Sequence, residues 1–182
     1  METVTAQSLI LNPADIELLV ENISQGLNDK YDNSQGSENN FLATPAAPPV
    51  LSPVMQGGIT FFQDIAKNLF FDAYVDYIGV RSYEGKERGK FDLYKDWTVD
   101  LKDKEVWLID DIADSGETLT YLEDLAYHNG AKKVYKAALL KRHTCPIELD
   151  WCGIELKDQW VFGYGMDNPE GLGRLDSSIW QC

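Results

Sequence analysis

The chain has 182 residues, 44% of them hydrophobic, enough for one domain with a sizeable core. Sixteen Lys and Arg against thirty Asp and Glu leave a net charge of −14 with no basic tract, so electrostatic binding to a nucleic-acid backbone is not expected. Cys145, Cys152 and Cys182 lack metal-ligand spacing, no apolar run approaches membrane-spanning length, and METVTAQSL has no apolar signal core; a cytoplasmic protein is expected.

Asn12-Pro13 reads as a cap followed by Pro at the first helical position, and Ile16, Leu19, Val20, Ile23 and Leu27 follow at helical spacing. Residues 28–49 are rich in Gly, Ser, Asn and Pro and read as a flexible insertion. Val50 to Met55 fits a short strand, Gly57-Gly58 a tight turn, and Ile59, Phe62, Ile65, Ala66 and Leu69 a second amphipathic helix. Ala73 to Val80 reads as a buried strand, and Ser82 to Thr98 as charged and irregular. A strand at Val106 to Ile109, a helix at Ser115 to Asn129 and a strand at Lys133 to Leu140 complete the pattern. Alternating strands and helices argue a parallel sheet with right-handed crossovers, whose ligands sit beyond the carboxyl ends of the strands.

One stretch carries most of the chemical information. VWLIDDIADSGETL, from Val106 to Leu119, is an apolar strand ending in Asp110 and Asp111. After a spacer come Asp114, then Ser115, Gly116, Glu117 and Thr118 at a helix start. Backbone N–H groups of such a loop and helix N-terminus can cradle a dianionic phosphate. The carboxylates can accept hydrogen bonds from ribose hydroxyls or hold Mg²⁺ through water. An ordinary capped turn needs one acid; three close carboxylates repel unless a cation or sugar hydroxyls compensate.

This stretch resembles the phosphoribosyl-pyrophosphate (PRPP) motif of type I phosphoribosyltransferases, and motifs in order along the chain resemble the branch acting on 6-oxopurines. VMQGGITFFQDI, from Val54, is similar to the family's pyrophosphate loop, with Gln56 where relatives commonly carry Lys, and with Gly57 allowing close approach to phosphate. The resemblance implies that the peptide before Gly57, Gln56-Gly57, can be cis. Ser82 and Tyr83 match a pair that opens a mobile loop over the reacting centre. Lys141 matches a lysine that donates to the purine O6, which selects a 6-oxo over a 6-amino group because an ammonium only donates. In WVFGYGMDNPEGLGR, Trp160 matches the aromatic that stacks on the base, and the Val161 backbone the group that pairs with its edge. Asp167 matches a Mg²⁺ ligand beside the purine, and Arg174 a pyrophosphate-binding Arg.

The resemblance implies an α/β fold: a mostly parallel twisted sheet flanked by helices, in one domain over residues 1–182. A small hood would be built from residues 1–27 and 142–182. The implied reaction is Mg²⁺-dependent transfer of the phosphoribosyl group from PRPP to a 6-oxopurine. Asp114 would act as general acid/base near the base. Asp110 and Asp111 would hold ribose hydroxyls and the metal, residues 115–118 the 5′-phosphate, and Gln56, Gly57, Ser82, Tyr83 and Arg174 the rest of PRPP. Homo-dimers or homo-tetramers are implied. Hypoxanthine, guanine and xanthine stay open as acceptors. A nucleotide-sensing regulator with the same fold would need a basic face, which a charge of −14 argues against.

Overall fold

The computed structural model describes residues 8–31, 45, 47–82, 91–157 and 159–181. In chain order the elements are β1 (Ser8–Leu11), α1 (Pro13–Tyr31), β2 (Val50–Met55), α2 (Gly58–Lys67), β3 (Tyr74–Val75), β4 (Ile78–Ser82) and β5 (Phe91–Lys95). They continue with β6 (Glu105–Ala113), α3 (Glu117–His128), β7 (Lys133–Arg142), β8 (Trp151–Leu156), β9 (Val161–Phe162) and β10 (Ile179–Gln181).

The main sheet has the order β5-β4-β2-β6-β7-β8, with β3 also pairing with β2. Every pairing in it is parallel except β4 with β5. Its central strands are covered on both faces, which is why they read as near-continuous apolar runs. Along β6 the pleat sends Trp107 and Ile109 to one core and Val106 and Leu108 to the other. Ile16, Val20, Ile23 and Leu27 of α1 and Phe61, Phe62 and Ile65 of α2 fill the first core. Leu119, Leu122 and Ala126 of α3 fill the second. Each such large aliphatic side chain contributes about 1.5–3 kcal/mol on burial. The expected mostly parallel sheet flanked by helices is therefore the observed fold. A separate antiparallel sheet, β1-β10-β9, joins the two ends of the chain.

The start of α1 follows from local chemistry. The Asn12 side-chain oxygen accepts from the N–H groups of Ala14 and Asp15, at 2.8 and 3.0 Å, and Asp15 accepts from the N–H of Asn12. Its end differs from expectation, because the helix runs through residue 28 to Tyr31. Asn28 is buried and bridges to the chain after α2, donating to the Asn68 carbonyl at 2.9 Å and accepting from the Phe70 N–H at 2.8 Å. The Tyr31 hydroxyl donates to Glu105 and accepts from the Trp107 indole. These tertiary partners keep polar residues helical, so residues 28–31 of the stretch expected to be flexible belong to α1; residues 32–44 and 46 lie outside the described residues.

The strand expected over Ala73 to Val80 is two strands, interrupted at Asp76. That carboxylate is buried and accepts from the N–H groups of Thr98 and Val99, the Thr98 hydroxyl and the Lys95 ammonium. Burial alone raises its pKa, but these donors together hold it below the usual value. The segment expected to be irregular contains β5, which pairs antiparallel with β4. Among the described residues no helix is long and apolar enough to cross a membrane.

Candidate active site

Strand β6 extends beyond its apolar run, because Asp110, Ile112 and Ala113 stay in register with Ala138, Leu140 and Lys141 of β7. This carries the acids out to the carboxyl edge of the sheet. Asp110 is buried and Asp111 half-buried. Burial, and then the charge of the neighbouring Asp111, pushes the Asp110 carboxyl well above the usual range. Burial raises Asp111 as well, against hydrogen bonds and the positive charge of Arg174.

A raised folded-state pKa means that Asp110 favours folding at low pH and loses that contribution as pH rises through the shifted value. Asp110→Asn is therefore expected to raise stability at neutral pH by about 1 kcal/mol while lowering activity. Thermal melting beside a turnover assay checks this; a lower melting temperature would show that the carboxylate is not held at a cost.

The strand hands over to α3 through a loop that needs glycine. Gly116 has φ +79°, and a Cβ there would lie 2.8 Å from Ile147 and 3.1 Å from the Cys145 sulfur. Ser115 and Glu117 are exposed beside it, and the Glu117 N–H donates to the Ser115 hydroxyl at 3.3 Å. Thr118 is half-buried in the first turn. The N–H groups of that turn have no carbonyl one turn back within the helix, the usual arrangement for receiving an anion.

The Gly57-Gly58 turn packs directly on the acids. A Cβ on Gly57 would lie 1.7 Å from the Asp111 carboxylate, and one on Gly58 would lie 2.6 Å from the Ile109 carbonyl. The cis bond is Met55-Gln56, one peptide earlier than expected, since no local signal in the sequence distinguishes the two bonds. Gln56 is exposed at this turn.

The C-terminal segment reaches the same place. A Cβ on Gly165 would lie 2.6 Å from the Gly57 carbonyl, so these two backbones touch. Arg174 donates to the Gly165 carbonyl at 2.6 Å and pairs with Asp167 at 2.7 Å. Lys141, half-buried, is the penultimate residue of β7, beside Ala113 and Glu155. Trp160 is 53% exposed, an unusual placement for so large an apolar surface, whereas Val161 is buried and paired with Gln181 in the small sheet. Ser82 is the last residue of β4; Tyr83 lies outside the described residues.

Strands, loop and C-terminal segment thus gather Gln56, Gly57, Asp110, Asp111, Asp167 and Arg174 around the edge of one sheet, with the Asp114 loop beside them. The family described as phosphoribosyl transferase domain matches residues 10–169. The chain belongs to the phosphoribosyltransferase family. It is 30% identical over 132 residues to the hypoxanthine-guanine phosphoribosyltransferase of Bacillus subtilis, covering 70% of this phosphoribosyltransferase and 73% of that one. It is 32% identical over 132 residues to the bifunctional protein TilS/HprT of Listeria innocua, where the match spans 70% of this chain but only 20% of the relative. The fold superposes on a hypoxanthine phosphoribosyltransferase of Staphylococcus aureus with a TM-score of 0.83 at 23% identity, covering 96% and 90% of the two chains. A Trypanosoma cruzi hypoxanthine phosphoribosyl transferase gives 0.83 at 21% identity, over 98% and 92%.

Two contributors to the site escape a reading of the sequence. Gly165 is needed for the close approach to Gly57, and its signal is the alternating glycine of FGYG. Arg142 binds Asp114, and its only signal is adjacency to Lys141. Among the described residues no group of three or more His, Cys, Asp or Glu side chains could hold a metal by itself. The desolvated carboxylates of Asp110 and Asp111 would suit Mg²⁺ held largely by water and substrate phosphates rather than by a protein cage.

Proposed function

We propose that this phosphoribosyltransferase serves purine salvage, moving the 5-phosphoribosyl group of PRPP to N9 of hypoxanthine or guanine and releasing pyrophosphate. The observation that carries the reading is the convergence of the acid pair, the Gly57 turn and the Asp167–Arg174 pair at one sheet edge. Residues 115–118 receive the 5′-phosphate through backbone N–H and hydroxyl groups. Asp110 and Asp111 accept from the ribose hydroxyls, which offset the desolvation of these carboxylates. Gln56, Gly57, Arg174 and the Ser82-Tyr83 pair complete the PRPP site, with Arg174 against the charge that grows on the departing pyrophosphate.

Asp167, with Asp110 and Asp111 through water, would hold Mg²⁺, which supplies charge neutralisation on the pyrophosphate when bound. Trp160 stacks on the base, the Val161 backbone pairs with its edge, and Lys141 donates to O6. As the C1′–pyrophosphate bond breaks and pyrophosphate leaves with its electron pair, N9 bonds to C1′ from the opposite face, and the Asp114 carboxylate accepts the proton that the base loses from N7. The β1-β10-β9 sheet and the segments around it serve as the hood. The reading includes a cytoplasmic homo-oligomer, dimer or tetramer.

Lys141→Ala separates the base site from the PRPP site. Loss of a charged hydrogen bond to O6 raises the KM for hypoxanthine by about 10- to 100-fold. The KM for PRPP is expected to stay near the unmodified value in steady-state kinetics. Equal loss for both substrates would contradict the O6 contact.

A further inference from the structure

Arg142 is the last residue of β7, next to Lys141, and its side chain is only 10% exposed. Its Nε donates to Asp114 at 2.9 Å, although the Asp114 side chain is itself 68% exposed. Its Nη1 donates to the Lys157 carbonyl at 3.0 Å and also to the Gln159 carbonyl. The residue after Gln159 is Trp160, and the one after that opens β9. One planar fork thus engages the third acid of the 110–118 stretch and two carbonyls just before Trp160.

We propose that Arg142 is a positioning residue for base transfer, fixing Asp114 relative to the Lys157 and Gln159 carbonyls that precede Trp160 and Val161, the residues proposed to face the purine. This rests on the roles of Asp114 and Trp160 given above. The physical reason lies in exposure. A carboxylate that open to solvent samples several rotamers, and Trp160 is also more than half exposed. A guanidinium presents rigid, divergent donors and stays charged, so it selects one rotamer of Asp114 and one path of the turn together. The flexible Lys ammonium offers its donors from a single atom and cannot span the same acceptors with the same geometry. Most of the Arg142 side chain is buried, so the clamp is built into the end of the sheet and does not depend on ligand to form.

The test uses the whole chain with Arg142→Met, Arg142→Lys, Asp114→Asn and the Asp114→Asn/Arg142→Met double variant. Steady-state constants for hypoxanthine and PRPP are measured beside thermal midpoints. Loss of positioning in Arg142→Met is expected to lower kcat by about 100-fold and raise the KM for hypoxanthine, with the KM for PRPP within about twofold. Arg142→Lys is expected to fold with a near-normal midpoint and recover part of the rate. In the Asp114→Asn background, adding Arg142→Met should cost less than about threefold in kcat, because coupled residues act as a unit, while the KM for hypoxanthine still rises through loss of the contacts to the Lys157 and Gln159 carbonyls.

Normal kcat and hypoxanthine KM in folded Arg142→Met overturn the proposal, as does a full multiplicative loss of kcat in the double variant. If Arg142→Met does not fold, Arg142→Lys decides: a roughly tenfold lower kcat/KM for hypoxanthine supports it, and unchanged constants overturn it. Normal turnover by Asp114→Asn would instead remove the role of Asp114 itself. Slow Asp114→Asn with normal Arg142 variants would remove only that of Arg142.

Discussion

Asp114→Asn lowers kcat for base transfer by about 10²- to 10⁴-fold, the usual worth of a general acid/base, and leaves the KM for PRPP close to normal. The split follows from placement. Asp114 lies past the end of β6, exposed, with Arg142 as its ion-pair partner. Asp110 and Asp111 lie within the strand, near Gly57 and Arg174. An amide at 114 keeps the size and one hydrogen-bond acceptor for Arg142, so the loop stays in place while the proton function is lost. Steady-state kinetics with hypoxanthine and with guanine checks the result. Normal turnover would remove Asp114 from the chemistry, and an equal rise in the KM for PRPP would make it a phosphoribosyl ligand instead.

Gly57→Ala is the second large effect, and its cost falls on activity more than on stability. The backbone there is right-handed helical, φ −63° and ψ −44°, so alanine is sterically allowed by its own torsions. The obstacle is the Asp111 carboxylate, 1.7 Å from the new Cβ. A side-chain end can rotate away cheaply, so the melting temperature should change little. The rotated Asp111 would then no longer face the ribose hydroxyls proposed for it, and a displacement of this size is expected to cost about 100-fold in kcat/KM for PRPP. A variant that unfolds, or one with a normal kcat/KM, would contradict this account of the turn.

Local signals were the ones legible in the sequence. Asn12-Pro13 marks the start of α1 because the cap is made by the residue's own side chain. The acids and small residues of the 110–118 stretch are adjacent in sequence, and the strand–loop–helix they form is local too. What depends on distant partners was hidden. Asn28 and Tyr31 look like loop residues until Asn68, Phe70, Glu105 and Trp107 are placed around them. β8 carries a glycine, against which a Cβ would lie 2.4 Å from the Leu139 carbonyl, so it reads weakly as a strand and exists through pairing with β7. β9 and β10 are too short for any period to show. Lys141 could be picked out only by its match to a family position, whereas the Arg142 contacts reach Asp114 and residues 157 and 159 from separate parts of the chain.

The site also explains why the acid pair sits so poorly in the protein alone. Asp110 and Asp111 are both shifted upward by burial, and Arg174 is the positive group acting on Asp111. Arg174 is shared with Asp167 and the Gly165 carbonyl. Under the proposed function, ribose hydroxyls and a hydrated cation would supply the partners that this set lacks among its own neighbours.

The most direct measurement is pyrophosphate release from PRPP in the presence of Mg²⁺ and, in turn, hypoxanthine, guanine and xanthine. Release that depends on hypoxanthine or guanine, with the matching nucleoside 5′-monophosphate formed in equal amount, is the predicted result. No release with any of the three bases would contradict the assignment.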